Sequence, residues 1–274
     1  MPGVTDFTWF FERGPLPLLV SMPHVGIQLP PALKRRLTPA ALSLADTDWH
    51  LPRLYDFLQN IGANSLVAVN SRYLIDLNRD PDGIPLYPGA DNTELCPLST
   101  ALWEPIYLDG QAPDAAEVAE RTALYWTPYH AKLAETLADL KARHGYALLF
   151  DAHSIKSVLP RYFSGRLPDI NFGTADGSSS APDIAECMVA AAHRFPDYST
   201  VFNGRFKGGY ITRAHGRPRE SIHAVQLELA WRTYMDEDAC TAGRFELDEG
   251  RAQSLRSLLR AAIDAMLAQA RARR

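Results

Sequence analysis

Two histidines stand at matching places in this chain. Ser-Met-Pro-His24 follows the apolar run Leu16 to Val20, and Phe-Asp151-Ala-His153-Ser follows Tyr146 to Phe150. Each run has the length and composition of a buried strand. Each imidazole is therefore expected where a strand stops, the place where open α/β sheets gather their ligands. Two such imidazoles and one carboxylate make a three-ligand site for a divalent metal, with a position left for water. The chemistry such a site performs is metal-assisted hydrolysis. Asp151 lies two residues before His153, and side chains i and i+2 of an extended chain share a face. Asp151 is expected to orient that ring without binding the metal itself.

The third ligand should be an acid, and Asp46-Thr47-Asp48-Trp49-His50 is its source. Asp48 is the first choice, although it also stands where a helix N-cap would fall. Asp46 and His50 remain open as substitutes. Glu228 is the candidate base, because a carboxylate among Val225, Leu227 and Leu229 is costly unless it is paired or put to use. A glutamate beside a metal-activated water is a proton shuttle. An edge strand with one solvated face is the alternative reading for Glu228.

Cations supply the rest of the chemistry. Arginine meets a carboxylate with two parallel hydrogen bonds and asparagine adds a neutral donor, so Asn78-Arg79 is expected to clamp an acidic substrate. Arg72 is expected to face the developing oxyanion, where fixed charge acts most strongly. A second basic cluster, Arg205, Lys207 and Arg213, surrounds Gly208-Gly209, whose backbone can approach a ligand closely.

These side chains need a scaffold. Leu16 to Met22, Ser65 to Val69, Tyr73 to Leu77, Tyr146 to Phe150 and His223 to Leu229 read as strands. Trp49 to Ile61 has a helical apolar face that stops at Gly62, and Ala115 to His144 carries two helical stretches, the second starting near Pro128. Pro182 to Phe195 and Ala252 to Ala270 read as further helices. Pro81 to Thr100 and Leu159 to Gly177 are rich in proline and glycine and read as irregular, site-lining segments. Strands alternating with helices predict an α/β fold over residues 1–274 as a single domain, with a mixed, mostly parallel sheet flanked by helices.

Bulk properties restrict the partners. The 274 residues are 46% hydrophobic and 22% charged, an ordinary globular balance. The net charge of -4 gives no reason to expect nucleic acid or an anionic membrane. The N-terminus, Met-Pro-Gly-Val-Thr-Asp, lacks a basic region followed by an apolar one, and no apolar run approaches the roughly 20 residues that span a bilayer. Cys96, Cys187 and Cys240 form no CxxC pair and read as reduced thiols of a cytoplasmic protein.

Taken together, Ser-Met-Pro-His24-Val-Gly, Asp46-Thr-Asp48-Trp-His50, Ser71-Arg72-Tyr-Leu-Ile-Asp76-Leu-Asn78-Arg79, Asp151-Ala-His153-Ser, Asn203-Gly-Arg-Phe-Lys-Gly-Gly-Tyr-Ile-Thr-Arg213 and Gln226-Leu-Glu228-Leu-Ala resemble the N-formylglutamate deformylase (amidohydrolase) family. The resemblance runs from the first strand to about Tyr234. It implies hydrolysis of N-formyl-L-glutamate to L-glutamate and formate, the last step of a histidine-degradation route. It also implies a fold similar to zinc carboxypeptidases and aspartoacylases (phosphorylase/hydrolase-like), with Zn2+ on His24, Asp48 and His153. In that picture Glu228 is the general base and Asn78-Arg79 the carboxylate clamp. Iron, manganese and cobalt accept the same donors. Rival readings are an amidohydrolase for another N-acyl acidic amino acid, such as N-formylaspartate, and a noncatalytic module that binds acidic ligands.

Overall fold

The computed structural model describes residues 8–273, so the N-terminal segment read above for a leader lies outside the described residues. Among the described residues, seven strands form one sheet: β1 (Trp9–Glu12), β2 (Leu18–Met22), β3 (Asn64–Ala68), β4 (Ala147–Ile155), β5 (Ile170–Gly173), β6 (Thr200–Phe202) and β7 (Ile222–Ala230). Their order is β1-β3-β2-β4-β7-β5-β6. The β2–β3, β2–β4, β4–β7 and β5–β6 pairs are parallel, while β1–β3 and β5–β7 are antiparallel. The sheet is mixed and mostly parallel, as the alternating pattern predicts.

Both faces of the sheet are covered. Leu18, Val20, Leu148, Phe150, Val225 and Leu227 pack on one side against the helices Pro182–Ala192 and Glu249–Ala272. The long C-terminal helix presents Leu255, Leu259, Ile263 and Met266 at helical spacing, and each such buried side chain contributes about 1.5–3 kcal/mol. Leu19, Leu66, Leu149 and Ala224 meet Leu133, Leu137 and Leu140 of the helix Thr127–His144 on the other side.

That second face changes character halfway along the strands. Leu19 is followed by Ser21, Leu149 by Asp151 and His153, and Ala224 by Gln226 and Glu228. Register aligns Ser21 with Asp151, Asp151 with Gln226, and His153 with Glu228. Helix Thr127–His144 covers the apolar half. The polar half is left to the site.

Several elements differ from the sequence reading. The central strand does not stop at Phe150 but continues to Ile155, which places Asp151 and His153 inside β4. Tyr73 to Leu77 is not a strand. Leu74 N–H donates to Ser71 O, Tyr73 N–H to the Ser71 hydroxyl and Asn78 N–H to the Asp76 carboxylate. Such local bonds compete with strand pairing. Trp49 to Ile61 is two short helices, Leu51–Leu54 and Phe57–Ile61, broken where Tyr55 leaves helical geometry. The second ends at Gly62, whose φ of 81° suits a residue without a Cβ. The segment read as irregular from Leu159 to Gly177 contains β5, paired to β7. The edge strands β1 and β6 were too short to stand out as apolar runs. Among the described residues no helix is long and apolar enough to cross a membrane.

Candidate active site

His24 is the second residue after β2, in the turn that ends it, and its carbonyl accepts the Asp48 N–H at 3.0 Å. That single bond brings two distant stretches of chain together. Asp48 is not a helix cap: the N-cap of Leu51–Leu54 is His50, with φ 63°. The Asp48 Oδ2 lies 3.1 Å from His153 Nδ1 and 3.8 Å from His24 Nδ1. All three residues are buried, and one ligating atom from each lies within 4.8 Å of the others.

The far nitrogen of each ring is tied to a carboxylate. His24 Nε2–H donates to Asp76 Oδ1 at 2.7 Å and His153 Nε2–H to Asp151 Oδ2 at 3.1 Å. When both rings are neutral with the proton on Nε2, two Nδ1 lone pairs and a carboxylate oxygen converge in one buried corner. A positive charge between them relieves the repulsion, and two imidazoles with one carboxylate are donors a divalent cation takes. The residues present fit such a metal.

The alternatives to Asp48 are engaged with other partners. Asp46 accepts hydrogen bonds from the Tyr73 hydroxyl at 2.8 Å and the Ala101 N–H at 2.9 Å, and burial pushes its pKa up. His50 Nε2–H donates to the Phe245 carbonyl.

Charge is balanced locally. Burial alone would raise the pKa of Asp76, but Arg72, Arg79 and His24 hold it well below the usual carboxylate range. Arg72 donates to Asp76 Oδ2 at 2.6 Å. Burial lowers the pKa of His24, and the positive Arg72 adds to that effect. On His153 burial opposes the charged ring, but Asp151 and Asp48 outweigh it and push the pKa well above the ordinary value.

Glu228 does not lie on an edge strand. β7 is paired on both sides, by β4 and β5, and Glu228 is 7% exposed. Burial pushes its carboxyl up to about 8, against the pull of His153. Gln226 on the same face fixes this corner. Its Oε1 accepts the Gly209 N–H at 2.7 Å, and its Nε2 lies 3.5 Å from Glu228.

A cavity of about 360 Å³ stands over this group, lined by His24, Asp48, Arg72, Asn78, Arg79, His153, Arg205 and Glu228, with Tyr87, Tyr162 and Phe206 on its walls. The Asn78 amide nitrogen is 3.1 Å from His153 Nε2, while its Oδ1 accepts the Ile211 N–H at 2.8 Å. Arg79 is held by the Thr93 carbonyl and hydroxyl. Arg205 donates through Nε to the Tyr162 carbonyl, and its guanidinium lies 4.8 Å over the Tyr87 ring.

Lys207 and Arg213 are not among the cavity-lining residues. Lys207 pairs with Asp176 at 3.0 Å, and Arg213 covers the Tyr87 ring at 5.6 Å while donating to the Gly208 carbonyl. Sequence reasoning gave no role to Asp76, Gln226 or Tyr87. Asp76 sat within a quoted motif and Gln226 on the same strand face as Glu228, but their partners are set by tertiary contact.

An α/β sheet that brings together His153 and Glu228 from adjacent strands, His24 from the turn after β2 and Asp48 from a loop defines a candidate hydrolytic centre. The chain belongs to the N-formylglutamate amidohydrolase family, whose model matches residues 16–235. It is 50% identical to an N-formylglutamate deformylase of Pseudomonas aeruginosa over 263 residues, 96% of this chain and 97% of that protein. It is 47% identical to an N-formylglutamate deformylase of Pseudomonas putida, over 92% of this chain and 94% of that one. A crystal structure of an N-formylglutamate amidohydrolase from Ralstonia eutropha JMP134 superposes with a TM-score of 0.79 at 26% identity, covering 97% of this chain and 99% of the other.

Proposed function

We propose that this chain hydrolyses N-formyl-L-glutamate to L-glutamate and formate at a centre that requires one divalent metal, zinc in the first instance, held by His24, Asp48 and His153. Family membership supports the substrate. The observation that carries the chemistry is the convergence of both Nδ1 atoms and Asp48 beside Glu228 in one buried corner. A divalent cation there supplies a Lewis acid and an acidified water.

The protein's own groups do the rest. Asp76 and Asp151 fix the tautomer and direction of the two rings. Glu228 takes the proton of the water that adds to the formyl carbon. It returns that proton to the amine nitrogen as the C–N bond breaks, leaving formate and glutamate. Its raised pKa suits a group that must both accept and donate near neutral pH. Arg72, on the wall of the same cavity, is assigned to the negative charge that grows on the former carbonyl oxygen.

Asn78-Arg79 and Arg205 meet the two substrate carboxylates from the cavity wall. Lys207 and Arg213 act one step back by holding Tyr87 and its loop against Arg205. An analogue that lacks one carboxylate leaves a half-buried arginine unpaired, which sets selectivity. The reaction is assigned to the end of histidine degradation, in a cytoplasmic setting.

Formate release from N-formylglutamate, measured before chelation, after chelation and after zinc is restored, tests this reading. Activity should vanish and return. Activity untouched by chelation removes the metal, and preferential cleavage of N-formylaspartate moves the substrate.

A further inference from the structure

Behind Asn78 lies a pair of histidines that the reaction does not use. His130 Nδ1 and His215 Nε2 are 3.0 Å apart, and His130 Nε2 is 2.8 Å from the Leu77 carbonyl. A carbonyl can only accept, so His130 must carry its proton on Nε2. Its Nδ1 is then a bare acceptor when the ring is neutral, and His215 must donate to it from Nε2–H. Both tautomers follow from one peptide oxygen. Burial and the neighbouring ring push His130 down to about 3, and burial takes His215 to about 4, so both rings are neutral at physiological pH.

The contacts close a ring around Asn78. His215 ends the helix Tyr210–His215, whose second residue, Ile211, donates its N–H to Asn78 Oδ1 at 2.8 Å. His130 grips the preceding carbonyl, and Trp126, stacked on His130 with centroids 3.8 Å apart, donates Nε1–H to the following carbonyl, that of Arg79. Trp126 closes a π-helical turn, Thr122–Trp126, directly before the helix Thr127–His144. Such turns reset which side chains share a helix face. The segment Leu77 to Arg79 has no sheet or helix of its own, so these side chains set its place.

We propose that His130 and His215 form a positioning dyad that holds Asn78-Arg79 in register with the substrate's carboxylate. The dyad touches no substrate. It acts through the Leu77 carbonyl on one side and through the helix Tyr210–His215 on the other. The proposal rests on the reading that Asn78-Arg79 binds a substrate carboxylate.

The test uses zinc-loaded enzyme and two substrates, N-formyl-L-glutamate and a neutral formyl amide such as N-propylformamide. His215→Leu removes the donor and should raise KM for formylglutamate about tenfold, with kcat changed less than about threefold and kcat/KM for the neutral amide unchanged. His215→Gln places an N–H near the lost Nε2–H and should restore KM to within about twofold. Should His215→Leu fail to fold, His215→Asn takes its place, since its shorter amide cannot reach His130. Arg79→Ala is the control for the underlying reading.

If Arg79→Ala weakens formylglutamate selectively while the folded leucine or asparagine variant behaves as wild type, the dyad is overturned and the clamp stands. Equal loss on both substrates in the His215 variants also overturns it. If Arg79→Ala itself affects both substrates equally, the clamp fails and the dyad with it.

Discussion

His153 and Glu228 are register partners on adjacent parallel strands, so the imidazole and the carboxylate leave the same face of the sheet side by side. Asp151 and Gln226 form the row beneath them. The proposed base and the proposed metal ligand, placed by strand pairing above a second layer also placed by strand pairing, cannot shift independently.

Glu228→Gln keeps shape and removes the proton acceptor. Turnover should fall at least about a hundredfold while bound zinc, measured by elemental analysis, stays near one per chain. Near-normal turnover would take Glu228 out of the shuttle.

Asp76 binds no metal in this reading, yet it aims the His24 ring. Asp76→Ala should weaken zinc affinity about 10- to 100-fold in competition with a chromophoric chelator. His153→Ala should abolish binding in the same assay. An Asp76 variant that binds zinc as tightly as wild type would show that His24 needs no such partner.

Gly209 has an ordinary φ of −83°, so space rather than strain requires glycine there. A Cβ at that position would lie 2.2 Å from Asn78 Nδ2. Gly209→Ala should therefore displace Asn78 and cut kcat/KM at least about tenfold while the protein remains folded. Wild-type kinetics in a folded variant would show that the Asn78 position is unimportant.

Burial pushes the Glu228 carboxyl up to about 8 in the fold, against about 4.3 in an unfolded chain. A raised acid pKa favours the folded state fully below the unfolded value, and that contribution disappears as pH rises through the folded value. After chelation, wild type should lose stability relative to Glu228→Gln between about pH 4.5 and pH 8, with no further change above. Melting temperatures of the two proteins across that range check it; a constant gap would contradict it.

The chain's own order of residues disclosed the α/β class and put His24, His153 and Glu228 beside or within buried strands, because apolar runs and period-two alternation report burial locally; it left Asp48, Asp46 and His50 open as the third donor. It could not disclose where β4 ends. Asp151 and His153 look like turn residues after Phe150, but pairing with β2 as far as Asp151 and with β7 through Ile155 keeps the strand going. Tyr73 to Leu77 shows the converse: its composition suits a strand, but backbone hydrogen bonds to the Ser71 hydroxyl and the Asp76 carboxylate bend it into the cleft.

Sequence also named the cations without separating those that line the cavity from those that do not. Tertiary structure separated Arg72, Arg79 and Arg205, which line the cavity, from Lys207 and Arg213, which do not. A side chain's identity states which bonds it can make. Which partner lies within reach is decided by segments a hundred residues away, as when Asp48 hangs from the carbonyl of His24 and meets His153 across the sheet.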